Sequence, residues 1–402
     1  MPDKRKARSE RRRKRAHGTE DFDTDQTTRR RQGKTETTTH NTRSALFQFV
    51  KNVSDPGSLH QPEGGEDIKD FVKRVFGGFD NVMQEYLQLK KEGFPTNVTF
   101  EEFKKNPSKN RYIDIKCYDQ TRVVMKDGFD GDYIHANYVD GYKQCKAYIA
   151  TQGPMPSTFV DFWRMIWQEE CFVIGMVTKM VEQNKEKCGL YWPDKPGKVL
   201  TCGHFVITCK RLLNRGSYCY TELALKNTKV GFTRPCVHLL YLVWPDCGVP
   251  LNSNVFLAYL DVMRRTQIRM LSKRKVPYKG HVLGPPMVVH CSAGIGRTGT
   301  LCAVDICCRK LLDTGTIEVQ ETVRKLRRQR FLSVQKPEQY MFICLAVIQF
   351  AIAYQLMPTT ANEFGNAVQN LAGAMELSER GQPKEEENEN VYGVINYVDQ
   401  KK

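Results

Sequence analysis

Apolar residues recur at regular spacing only in the middle of the chain, from about Asp67 to Leu356. Val75, Phe79, Val82, Met83, Tyr86 and Leu87 follow a helical period and predict a helix over Phe71 to Lys91. Phe159, Phe162, Trp163, Ile166 and Trp167 share one face and predict a second over Ser157 to Glu169. Cys171 to Thr178 is a short apolar run rich in β-branched residues, which reads as a buried strand. Phe205 to Leu212, Ser217 to Leu225 and Val237 to Val243 also read as strands, several of them half-buried by alternation. A helix over Asn254 to Leu271 precedes a buried strand, Pro286 to His290, then a glycine-containing loop and a helix over Thr298 to Asp313. Two further helices are predicted at Val319 to Gln329 and Pro337 to Gln349. Mixed strands with helices on both sides argue for an α/β or α+β domain of about 290 residues.

The flanks lack this patterning. Residues 1–59 are polar, with Lys/Arg clusters and Thr runs, and bury too little apolar surface to offset their ordering entropy, which predicts a disordered basic arm. Residues 357–402 are polar again and end in an acidic, tyrosine-bearing segment, predicted to be a disordered tail. That leaves 67–356 as the folded domain. No internal repeat is present.

The formal charge of +16 directs attention to acidic partners: phosphate groups, nucleic acid or an anionic membrane. The chain opens on basic rather than apolar residues, so no signal peptide is read there. No apolar run reaches the roughly 18 residues of a membrane-spanning helix. The longest, Met341 to Ala353, is too short and carries Gln349. These features imply an intracellular protein, cytoplasmic and/or nuclear, whose 14 cysteines are thiols. Cys307 and Cys308 are adjacent and no paired C-x-x-C sets suggest zinc, and the Asn97-Val98-Thr99 sequon then carries no glycan.

The chemistry concentrates in Val289-His290-Cys291-Ser292-Ala293-Gly294-Ile295-Gly296-Arg297-Thr298-Gly299. A buried strand enters this run and a helix leaves it. Gly294, Gly296 and Gly299 permit backbone geometry that other residues resist. A loop of this kind turns several N–H groups inward, and the helix N-terminus adds partial positive charge, which makes a cradle for a dianion. The same field stabilises a thiolate at Cys291, a strong nucleophile at neutral pH. Arg297 on the opposite rim offers a planar fork for two phosphate oxygens. Thr298 offers a hydroxyl near the sulfur, able to assist the thiolate as a leaving group. A lone cysteine is more often a buried structural thiol. The arginine, the glycines and the strand-loop-helix context reverse that reading here.

These residues match H-C-x-x-G-x-x-R-[ST], and the chain resembles the cysteine-dependent protein tyrosine phosphatases, the tyrosine-specific non-receptor type most closely, over roughly Phe79 to Tyr354. The resemblance implies a central, highly twisted mixed sheet flanked by helices. It implies hydrolysis of phosphotyrosine in proteins through a cysteinyl-phosphate, with no metal or organic cofactor. Trp244-Pro245-Asp246 resembles the family's mobile acid loop. A phenol leaving group of pKa near 10 needs a proton, which Asp246 would supply before acting as base for water. Cys247 stands where the family usually has His or Phe. Lys109-Asn110-Arg111-Tyr112 resembles the segment that sets pocket depth, with Tyr112 stacked on the substrate ring. Asp114 falls where the family holds the substrate backbone, and Ile113 where some members carry a basic residue. Gln335 and Gln339 resemble the pair that positions the hydrolytic water, Gln339 on the first turn of a helix. Glu182 matches an acid that supports the signature arginine, Lys187 a lysine that approaches the acid loop. His290 would hydrogen-bond near Cys291 and help hold its thiolate. Ser292, Ala293, Gly294, Ile295 and Gly296 would bind the phosphate. Asp132 to Tyr138 and Tyr148 to Pro154 resemble framework motifs around the pocket.

Two basic runs, Lys4 to Arg15 and Arg29-Arg30-Arg31, fit an import receptor, a nucleic acid or an anionic membrane, and equally fit a solvated arm. Without interleaved aromatics they lack a base-stacking platform. Tyr392, behind an acidic stretch, and Tyr397 fit kinase sites, or simply an acidic tail.

Overall fold

The computed structural model describes residues 53–357, apart from Asp130, Cys247, Leu251 and Lys275. The two basic runs, the tyrosine-bearing tail and Cys247 therefore lie outside the described residues.

Nine strands form one mixed sheet: β1 (Arg122–Val124), β2 (Tyr133–Gly141), β3 (Gln144–Thr151), β4 (Val173–Met176), β5 (Val199–Cys202), β6 (Phe205–Asn214), β7 (Tyr218–Asn227), β8 (Phe232–Tyr241) and β9 (Met287–His290). Their spatial order is β1-β2-β3-β9-β4-β8-β7-β6-β5. The four central strands β3, β9, β4 and β8 are parallel and the outer pairs antiparallel. Eight helices accompany them among the described residues: α1 (Ile68–Phe76), α2 (Phe79–Lys91), α3 (Glu101–Lys105), α4 (Phe159–Gln168), α5 (Ser253–Ser272), α6 (Gly296–Thr314), α7 (Val319–Gln329) and α8 (Pro337–Ala353).

Strand alternation divides the core between two faces. Ile149 and Val288 point to the layer of α4, where Phe162, Trp163, Met165 and Ile166 are buried. Tyr148, one residue away, points the other way, and its hydroxyl meets Asp305 of α6 and Arg264 of α5. On that second side α5 presses close to β4: a Cβ on Gly175 would lie 2.6 Å from the Met263 methyl. The parallel strands need both faces covered, and the stretches Tyr148 to Ala150, Val173 to Met176 and Met287 to Val289 are accordingly apolar and buried.

The predicted helix over Phe71 to Lys91 is two helices. Gly77 caps α1, and Gly78, at φ +150°, breaks the path before α2. Strand β8 starts five residues earlier than Val237, at Phe232, carrying Pro235. The expected disordered limit at residue 59 also falls inside folded chain. Val53, Ser58 and His60 are buried, and the segment is tied to β2 and β3. Ser58 Oγ donates to Gly141 O at 2.7 Å, and Cys145 N–H donates to Asp55 Oδ2 at 2.7 Å.

Asp305 is the only carboxylate among the described residues that pairs with Arg264, which it contacts through both oxygens. Asp305→Ala leaves a largely buried guanidinium unpaired. The expected loss is about 3–5 kcal/mol of unfolding free energy, read from the urea midpoint, with Asp305→Asn falling between.

Candidate active site

Strand β9 ends at His290 and helix α6 begins at Gly296, so Cys291 to Ile295 must turn sharply at the C-terminal edge of the parallel strands. Backbone hydrogen bonds account for the turn carbonyl by carbonyl. Cys291 O accepts from His290 Nδ1 at 3.1 Å and Ser292 O from Gly153 N–H at 2.7 Å. Ala293 O and Gly294 O accept from Arg330 at 3.0 and 3.1 Å. Ile295 O takes the N–H groups of Gly299 and Val334 at 3.0 and 3.1 Å. The carbonyls are all spent on protein. Gly294 N–H instead donates to Cys291 Sγ at 3.3 Å. The N–H groups of Ser292, Ala293 and Ile295 have no acceptor among the described residues, which leaves them for an anion.

Two glycines are sterically required. Gly294 has φ +71°, and a Cβ there would lie 2.0 Å from Thr151 O. A Cβ on Gly153 would lie 2.8 Å from Cys291 O and 2.6 Å from Lys187 O. The loop is therefore laid directly on the end of β3.

Arg330 is the residue that sequence reasoning missed. It is fully buried, and besides the two loop carbonyls it donates to Asn137 Oδ1 at 2.8 Å and His135 Nδ1 at 3.2 Å. No carboxylate among the described residues pairs with it. Burial lowers its pKa, and a positive charge lies behind the anion cradle.

Cys291 is 5% exposed, at the base of the loop. His290 sits behind it in a directed chain. Its Nδ1 faces a carbonyl and so carries the proton. Its Nε2 then accepts from Tyr191 Oη at 2.6 Å, and Tyr191 Oη accepts from His238 Nε2 at 2.9 Å. Burial lowers the His290 pKa to about 4, so the ring is neutral. The imidazole thus bonds the Cys291 carbonyl. Thr298 is fully buried, and its hydroxyl has no partner among the described residues.

Arg297 is held by Glu182, Nη1 to Oε1 at 2.6 Å and Nη2 to Oε2 at 2.8 Å. Glu182 is on a small hairpin, Val181–Glu182 with Lys185–Glu186. Burial opposes its charge, yet the Arg297 fork and the Lys179 N–H hold its pKa below the ordinary value. Glu182 thus touches the arginine rather than the open pocket. Arg297 Nη2 also donates to Pro245 O at 3.3 Å, and its guanidinium lies 5.6 Å from the Trp244 ring centroid. Asp246 follows, paired with Lys179 Nζ at 2.8 Å. Lys179 was not singled out in the sequence. The contact of Lys187 is through its backbone: its carbonyl accepts from Ser292 Oγ at 3.0 Å.

Tyr112 stands at the rim with its hydroxyl 2.6 Å from Ser292 Oγ, and burial raises its pKa. Arg111 anchors the segment by donating to Gly153 O at 2.9 Å and Pro154 O at 3.1 Å. Tyr112 and Ala293 both pack against a buried cluster of Ile115, Tyr118, Ile295 and Phe331. Asp114 Oδ1 is buried without a partner among the described residues, and burial raises its pKa. Ile113 is 52% exposed. On the far side, Leu332 and Val334 adopt φ +47° and +61°, costly for side chains of this shape. Arg327 holds the turn by donating to Ser333 O at 3.0 Å and Val334 O at 2.9 Å. The turn sets Gln339 against the loop: a Cβ on Gly296 would meet its Nε2 at 2.8 Å. Gln339 Oε1 accepts the Gln335 N–H at 3.0 Å. Both glutamines therefore belong to the same wall.

The sequence profile described as Protein-tyrosine phosphatase matches residues 106–349. Human Tyrosine-protein phosphatase non-receptor type 9 is 41% identical over 273 residues, 67% of this chain and 46% of that protein. Tyrosine phosphatase-like protein J1 of Microplitis demolitor bracovirus (isolate Webb) is 36% identical over 296 residues, 73% of this chain and 94% of that protein. Human Receptor-type tyrosine-protein phosphatase zeta is 41% identical over 252 residues, 59% of this chain and 10% of that protein. The chain spans about half the length of the non-receptor type 9 relatives it matches. With this cradle, its cysteine and its arginine, the chain belongs to the protein-tyrosine phosphatase family.

Two outcomes are expected from this geometry. Arg330→Met strands two loop carbonyls and removes the charge behind them, so tungstate affinity measured by calorimetry falls about tenfold or more. Acid stability also follows. Burial holds His290 at about 4, and burial with Arg330 holds His135 at about 3, against 6.5 for the free group. Below pH 6.5 the unfolded chain takes protons that the folded chain refuses. Each histidine thus removes about 1.4 kcal/mol per pH unit until its folded value is reached. Urea midpoints at descending pH, with matched proton uptake on unfolding, measure this.

Proposed function

We propose that the chain hydrolyses phosphotyrosine in proteins through a cysteinyl-phosphate on Cys291. One observation carries the reading: every carbonyl of the Cys291 to Ile295 turn is bonded to protein, while three of its N–H groups are left for a ligand beside Arg297. The equatorial oxygens of a phosphoryl group gain charge during transfer, and fixed N–H dipoles with a planar guanidinium meet it without reorganisation. Cys291 Sγ attacks phosphorus and the P–O bond to the phenol breaks, Asp246 giving its proton to the departing oxygen. Water, oriented by Gln335 and Gln339 and deprotonated by Asp246, then breaks the S–P bond. The partnerless Thr298 hydroxyl is suited to stabilise the returning thiolate.

Ser292, Ala293, Gly294, Ile295 and Gly296 would form the phosphate cradle. Tyr112 would wall the pocket, so that a phosphoserine falls short of the sulfur. Asp114, with its unpartnered oxygen, would take a substrate backbone N–H. Glu182 acts through Arg297, and Lys187 through Ser292. The names of the type 9 and type 4 relatives favour a non-receptor, intracellular protein, cytoplasmic and/or nuclear. Among the described residues no helix is long and apolar enough to cross a membrane. The basic arm would engage an import receptor or another anionic partner.

Phosphate release from a phosphotyrosine peptide, with a phosphoserine peptide beside it, tests the reading. Cys291→Ser is expected to abolish release, and Asp246→Asn to lower kcat by about 10²–10⁴. Retained peptide binding without any release would mark a phosphotyrosine-binding module instead.

A further inference from the structure

The parallel strands end at the cradle, and two tips of the chain meet at the opposite edge of the sheet. One is the turn between β7 and β8, residues 228–231, with Phe232 just after it. Strand β8 runs parallel to β4, and β4 to β9, so β8 begins at the edge remote from Cys291. The other tip is the loop of residues 273–286, which links the end of α5 to the start of β9. Glu170 ties the two together: it accepts from Arg274 Nη1 at 2.9 Å and pairs with Arg234 Nη2 at 3.4 Å. Arg274 Nε donates to Val276 O at 3.0 Å, and Arg234 Nη1 to Trp167 O at 2.8 Å.

Val230, Phe232, Val276 and Val282 are 60–64% exposed, more than any other large apolar side chain among the described residues, and all four lie on these tips. Lys226, Lys229, Lys273 and Lys279 stand in the same two segments, exposed and without an ion pair among the described residues. No carboxylate occurs in the sequence between Glu222 and Asp246, or between Asp261 and Asp305. The acids of this corner come from the segment before β4, where Glu170 is spent on two arginines and Glu169 accepts from Gln168 Nε2 at 2.9 Å. Exposed apolar turns flanked by lysine fit a lipid surface better than a protein or a nucleic acid. Protein interfaces are depleted of lysine, and a phosphate backbone offers valine no apolar partner. A headgroup layer rewards both kinds of side chain: apolar tips enter the acyl boundary, while ammonium groups stay at the anionic phosphates.

We propose that these two tips form a docking surface for an anionic lipid bilayer, with Phe232 and Val276 entering the acyl boundary and Lys229, Lys273 and Lys279 meeting headgroup phosphates. Strand β8 spans 10 residues from its tip toward the acid loop, a length of about 30 Å. A docked chain therefore holds Cys291 at about that height, with the cradle turned away from the lipid. Phosphotyrosines on segments that rise from the same membrane then come within reach. Docking needs no turnover, so the inference stands apart from the phosphatase reading.

The test is co-sedimentation of the full-length chain with phosphatidylcholine vesicles that contain or lack phosphatidylserine. The parent is expected to bind the anionic vesicles alone, and less as salt is raised. Lys229→Gln combined with Lys279→Gln should lower the partition coefficient about tenfold or more. Phe232→Ser combined with Val276→Ser should lower it by about tenfold. The basic arm is present in every chain, so these differences belong to the tips. Val276→Trp supplies a direct readout of insertion: brominated lipid should quench it beyond the parent, whose Trp163, Trp192 and Trp244 are buried. Equal partition of the parent and both double variants, without added quenching, overturns the docking surface and leaves any vesicle binding to the basic arm. Equal binding to neutral vesicles overturns the anionic partner. Binding of RNA, or self-association, that is lost in the double variants while neither vesicle is bound also overturns the proposal. Melting curves that match the parent's show that the variants keep the fold.

Discussion

The site depends on one constraint: a five-residue turn cannot aim its N–H groups at a point unless its carbonyls find partners elsewhere. The protein meets this from several directions. Gly153 at the end of β3 takes Ser292, Arg330 takes Ala293 and Gly294, and the strained turn at Val334 shares Ile295 with the first turn of α6. The parallel order of β3, β9 and β4 brings these donors to one edge. The closest approach, at Gly294, leaves no room for even a methyl group. The residues assigned to chemistry are thus the inner surface of a shell of donors drawn from distant parts of the chain.

That division explains what could be read from sequence. Cys291, Arg297 and the glycines between them are legible because their geometry is local: covalent spacing alone places a thiol at one end of a turn and a guanidinium at the other. Their supports are not local. Arg330 is one of several arginines near the end of α7, and only the fold shows that it is buried behind the loop. Tyr191 and His238 lie in unrelated segments, yet complete the chain behind His290. Lys179 looks like any surface lysine until the hairpin carboxylate fixes its backbone.

The fold shows the same pattern. Helices α7 and α4 follow from one-sided periodicity. Strands β2 and β3, buried on both faces, carry no alternation and were legible only as framework motifs. The break at Gly77 and Gly78 is hidden because the apolar spacing continues across it. Residues 53–66 look too polar to fold alone, and they order by lending hydrogen bonds to a sheet already present.

The buried guanidinium of Arg330 has a consequence for the economy of the whole domain. Folding encloses a cation that no carboxylate among the described residues pairs with, and its guanidinium bonds the back of the cradle through the Ala293 and Gly294 carbonyls. An oxyanion bound in the cradle would also serve as a counterion to Arg330. Occupancy and conformational stability are linked, since whatever binds only the native state deepens it. The ambient concentration of phosphate, the product of the proposed reaction, would then set both how often the cradle is blocked and how firmly the domain holds together.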